Sequence, residues 1–137
     1  MPLALVAPAL AHHSAAAYDT QKEVKVTGTV VQYRFANPHV YLTVQVKNGD
    51  GSTTTMEVEA GAASVLNGLG FSRESLSVGE TVTIVGNPDR RKPMILLGKD
   101  LHKPDGTYLP LNIGSRSVYR ASTATATSIA GTWFSPP

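Results

Sequence analysis

Three histidines carry the most chemistry in this chain: His12 and His13, side by side behind an apolar run, and His39 in the tripeptide Asn37-Pro38-His39. If the chain is cut after Ala11, His12 becomes an amino terminus, and a terminal histidine chelates a metal through its α-amine and its ring nitrogen together. A second imidazole then completes a three-nitrogen set of the kind that copper favours. Cleavage one residue earlier would lead with Ala11 and make His13 the third residue, building a different copper chelate from the amine, two backbone amides and the imidazole. His39 is the candidate second ring, because Pro38 restricts the chain ahead of it and holds it where a strand begins. The expected metal set is therefore His12, His13 and His39, with copper as the cofactor. The plainer alternative for His39 is a ring that bonds a backbone carbonyl and finishes a corner.

The cut itself is expected from the residues before it. Pro2 to Ala11 is apolar and ends in Ala9-Leu10-Ala11, the small-residue pattern that signal peptidase accepts. It is too short to span a bilayer as a helix, and the missing Lys or Arg ahead of it points to a start further upstream. Export to the periplasm or the medium follows. No transmembrane helix is expected after processing.

Other polar groups offer less. Arg90-Arg91-Lys92 form one basic loop, and Tyr33, Phe35, Asn37 and Tyr41 flank the Asn-Pro-His corner, so these seven residues are the candidate ligand-binding surface. Glu57 and Glu59 fall on the same side of an alternating strand and read as solvent-facing charges paired with lysines. His102 reads as a polar residue at a hairpin. Nucleophile elbows, phosphate-cradling glycine loops, dinucleotide fingerprints and His-Glu-x-x-His are all missing from the sequence. This pattern favours binding over catalysis and assigns no catalytic residue.

Composition narrows the class further. The 137 residues suit one domain, and a formal net charge of +2 with 16% charged residues gives no strong field, so nucleic acid is not an expected partner. With no cysteine there are no disulfides, thiolate zinc sites, covalently attached haem or thiol nucleophiles.

The elements that must position these residues are mostly strands. Val24, Val26, Gly28 and Val30 alternate with Lys25, Thr27, Thr29 and Val31; Val40, Leu42, Val44 and Val46 alternate with Tyr41, Thr43, Gln45 and Lys47. Asn48-Gly49-Asp50-Gly51 turns the second strand into a third, over Thr53 to Ala60. A short helix is expected over Ala62 to Leu69, with a further turn over Ser72 to Leu76. A fourth strand over Thr81 to Gly86 should be broken by Asn87-Pro88-Asp89, and Met94 to Leu101 and Thr107 to Leu111 should form the last hairpin. Three strands, a helix and two more strands is the order of an OB-type barrel, with Gly28 at the bend of its long first strand. The fold class is therefore all-β with one short helix, an OB-like five- to six-stranded antiparallel barrel over residues 12–111, between an apolar leader at 1–11 and a Ser/Thr/Ala-rich arm at 112–137.

Taken together, Ala11-His12-His13-Ser14, Val26-Thr27-Gly28-Thr29-Val30, Asn37-Pro38-His39, Val58-Glu59 and the run from Leu76 to Gly86 resemble a family of small exported bacterial proteins of unknown function. The resemblance covers roughly Ala11 to Leu111 and implies export and a β-barrel-like domain. In that family an aromatic residue, often Trp, stands where this chain has Phe35 or Met56.

The leading expectation is a periplasmic or secreted small binding domain that holds copper through its histidines, with a small ligand or a protein as partner. Two alternatives stay open: a copper-dependent oxidative enzyme using the N-terminal histidine, and a self-assembling subunit whose apolar leader adds a strand to a neighbouring copy.

Overall fold

The computed structural model describes residues 15–113. A single 3-10 turn, Ala15–Ala17, precedes six strands: β1 (Val24–Arg34), β2 (Tyr41–Lys47), β3 (Thr53–Glu59), β4 (Thr81–Pro88), β5 (Ile95–His102) and β6 (Tyr108–Pro110). One helix, α1 (Ala63–Gly68), lies between β3 and β4, and a second 3-10 turn covers Arg73–Ser75. β1 pairs antiparallel with β4 through Val24 to Thr29 and with β2 through Thr29 to Arg34, which its length permits. β2 pairs with β3, β4 with β5, and β3 closes on β5 through Glu57 to Glu59. The five strands therefore form a closed barrel of OB type, and β6 extends it beside β5.

The closing pair is parallel, so the barrel is mixed where an all-antiparallel one was expected. The reason is the crossover: β3 and β5 are separated by α1 and β4 and arrive at the seam running the same way. Strand β4 also runs further than Gly86. Asn87 and Pro88 pair with Leu97 and Leu96, and proline is tolerated there because it is the last residue of the strand.

Alternation puts Val30, Leu42, Val44, Met56, Val58, Val82, Ile84, Leu96 and Leu101 in the barrel interior. The helix contributes Ala63 and Leu66, and Phe71 follows it into the core with no exposed surface. Helix α1 has no side-chain cap of its own; Asn37 supplies one from outside, its Oδ1 accepting the Ser64 N–H at 3.1 Å. The close approach of β2 to β1 needs glycine. A Cβ at Gly28 would fall onto the Gln45 carbonyl oxygen and lie 2.8 Å from Val44 Cγ1.

A β-bulge at Val31 decides which side chains enter the core. Val30 pairs with Val44 but Gln32 pairs with Thr43, so one extra residue sits in β1 and the inward parity switches from even to odd. Tyr33 and Phe35 turn inward, while Gln32 and Arg34 face solvent. Phe35 is 6% exposed. Tyr33 is half-buried, stacked on Phe71 at 6.1 Å with a 12° interplanar angle, and its hydroxyl donates to Ser72 O.

Candidate functional site

The corner at His39 is built by four local features. Asn37-Pro38 is a cis peptide, Asn37 caps α1, Val40 N–H donates to Gly61 O, and Ala60 N–H donates to Val40 O. His39 therefore stands beside the end of β3, with its Nδ1 at 3.3 Å from Ala60 O and 3.5 Å from Glu59 Oε1. Its side chain keeps 32% of its exposure, against 7% for Glu59.

Glu59 was expected among the solvent-facing charges, and the structure corrects this. By alternation with Val58 it does face outward, but the segment ahead of β1 lies over it. Tyr18 forms a bridge with Asp89, flanked by hydrogen bonds from Asp19 N–H to Pro88 O and from Arg90 N–H to Ala17 O. From that position the Tyr18 hydroxyl donates to Glu59 Oε2 at 3.0 Å, and only 1% of Tyr18 is exposed. Burial, followed by the Glu59 charge, holds the Tyr18 hydroxyl far above its ordinary pKa, so it stays a donor. Glu57, two residues away, is exposed as expected.

Tyr41 continues the cluster along β2. Its ring meets His39 edge-on at 6.2 Å, and the Arg34 guanidinium lies 5.3 Å from its centroid. Burial and the Glu59 charge raise the Tyr41 hydroxyl, with Arg34 opposing. Gln32, Tyr33, Arg34, Tyr41 and Thr43 line a cleft of about 340 Å³ on this face.

The other candidates fall elsewhere or take structural roles. Phe35 is a core side chain and offers no stacking face, and Asn37 spends its carbonyl on α1. Arg90, Arg91 and Lys92 are exposed in the β4–β5 loop, which Asp89 shapes by accepting the Arg91 and Lys92 N–H groups. Lys92 lines a separate cleft with Thr55, Glu57, Pro93, Met94 and Ile95. His102 packs against Tyr108 at 5.2 Å, and burial lowers its pKa. Tyr18 and Glu59 were not among the candidates; the signals in the sequence were a tyrosine shortly before the first strand and the Val58-Glu59 pair among the motifs of the resemblance.

His12 and His13 lie outside the described residues, as do the apolar leader and nearly all of the C-terminal arm. Among the described residues no three His, Asp or Glu side chains gather as a metal centre. His39 has the Glu59 carboxylate beside it and no second imidazole near it among the described residues. No helix among the described residues is long and apolar enough to cross a membrane.

The closed barrel with its helix between β3 and β4 makes this an OB-type domain. The chain belongs to a family of unknown function, DUF6152, which matches residues 2–95. Among solved structures it is similar to the mitochondrial single-stranded DNA-binding protein of S. cerevisiae, with a TM-score of 0.43 and 11% identity over 63% of this chain and 97% of that one. It is also similar to the small single-stranded DNA-binding protein from Streptomyces coelicolor, with a TM-score of 0.40 and 21% identity over 60% of this chain and 90% of that one. No curated protein matches the sequence.

Proposed function

We propose that this chain is a small exported binding domain that holds one copper ion between His39 and the histidines of its N-terminal segment, His12 and His13. The observation that carries this reading is the shared carboxylate: Glu59 holds Tyr18 on one oxygen and approaches the His39 ring with the other. Tyr18 anchors the segment that leads back to the histidines. From His12 to Tyr18 is a stretch of six residues, at most about 21 Å of extended chain, which is enough for a terminal histidine to meet a ring across one carboxylate. A terminal amine and two or three imidazoles form the nitrogen-rich set that suits copper(II). Export rests on the leader-like run before His12.

The test is a copper titration, followed by calorimetry and electron paramagnetic resonance, of three versions: one beginning at His12, one with residues added ahead of His12, and His39→Ala. The first should bind one copper ion through nitrogen. The other two should bind at least tenfold more weakly, with altered spectra. Equal affinity and identical spectra in all three would overturn the reading.

A further inference from the structure

The surroundings of His39 favour one of its two neutral tautomers. Its Nδ1 faces two acceptors, Ala60 O at 3.3 Å and Glu59 Oε1 at 3.5 Å. A lone pair on Nδ1 would be repelled by both oxygens, so the neutral ring carries its proton there and its lone pair on Nε2. Glu59 can play this part only if its carboxylate is held still. It is 6% exposed, and its other oxygen accepts the hydroxyl of Tyr18, a side chain buried at 1%.

We infer that Tyr18 and Glu59 are positioning residues for His39: Tyr18 orients the Glu59 carboxylate, and that carboxylate with the Ala60 carbonyl keeps His39 in the tautomer that presents Nε2 as the ligand. A carboxylate behind a ligating imidazole fixes the ring's tautomer and orientation. The same bond ties the N-terminal segment to the ring it serves. The functional meaning rests on the copper reading, whereas the tautomer is a property of the metal-free chain.

Long-range proton–nitrogen correlation spectra of the metal-free protein, recorded where the ring is neutral, read the tautomer directly. His39 should appear with Nδ1 protonated. In Glu59→Gln and in Tyr18→Phe the signals should move toward the mixture of a free histidine, and copper affinity should fall about 10- to 100-fold. A wild-type His39 protonated on Nε2 overturns the inference, and this result needs no variant to fold. Retention of the wild-type tautomer in both variants, with amide spectra showing them folded, overturns it too. The expected tautomer responses together with a copper affinity indifferent to His39→Ala would sink the copper reading and leave the positioning of the ring established.

Discussion

Tyr18 and His39, 21 residues apart in sequence and on different sides of β1, address the two oxygens of one carboxylate, Glu59, at 3.0 and 3.5 Å. The arrangement makes Glu59 a node between the segment ahead of the barrel and the corner that opens β2. It also explains how a charged residue is accommodated with 6% exposure: each oxygen faces a polar partner, as a buried carboxylate requires.

Removing one of those partners should therefore cost stability. Tyr18→Phe keeps the buried ring but leaves Glu59 Oε2 without the donor that reaches it in the structure. Loss of a hydrogen bond to a charged group should lower the unfolding free energy by about 1–3 kcal/mol, measured by urea denaturation at neutral pH. An unchanged midpoint would mean that the bond contributes nothing.

Stability should also fall at alkaline pH, through the tyrosines. Burial raises the Tyr33 hydroxyl from 10.0 to about 12, against a smaller opposing effect of Arg73, and Tyr18 is raised further. Between those values the unfolded chain has lost its Tyr33 proton while the folded chain keeps it, so the difference in bound protons favours unfolding as pH rises. The contribution is fully present below pH 10 and is lost as pH climbs through about 12. Denaturation midpoints of wild type and Tyr33→Phe across this range check the sign: the wild type should decline more steeply.

Gly28 should not tolerate a side chain. The Cβ of Gly28→Ala would press on the Gln45 carbonyl and on Val44 Cγ1 at the point where β1 passes from β4 to β2. Neither the strand backbone nor a core valine can retreat freely, so a loss of about 1–3 kcal/mol in stability is expected. Thermal unfolding of the single variant measures it.

The basic loop should matter little to folding. Changing Arg90, Arg91 and Lys92 together to Ala leaves the Asp89 contacts to the Arg91 and Lys92 backbone available, so the unfolding midpoint should barely move. Binding of the wild type to a single-stranded oligonucleotide, followed by fluorescence anisotropy, should be weak and vanish with modest salt, because few charges release few counterions. Tight binding that survives salt and disappears in the triple variant would assign this loop a nucleic-acid role.

Much of the architecture is legible without coordinates. The period-2 runs at Val24 to Val30 and Val40 to Lys47, the Asn48 to Gly51 turn and the helix-forming stretch after Gly61 are local signals, read from neighbours a few residues apart. Their order identifies an OB-type barrel, and Gly28 marks a place in β1 where a side chain has no room. His39 was also legible as a ring held at a corner, because proline limits the chain around it whatever the rest of the fold does.

The remaining features depend on contacts that no local pattern encodes. The bulge at Val31 leaves the composition of β1 unchanged yet exchanges its faces beyond that point, which is why Phe35 became core and Arg34 became surface. The parallel closure of β3 on β5 arises from how the crossover packs, not from either strand's alternation. Glu59 alternates as a surface residue, and only the arrival of Tyr18 from 41 residues away buries it. Periodicity specifies which face of a strand a residue occupies; the tertiary structure decides what covers that face, because burial is a property of the neighbours that the chain brings back to it.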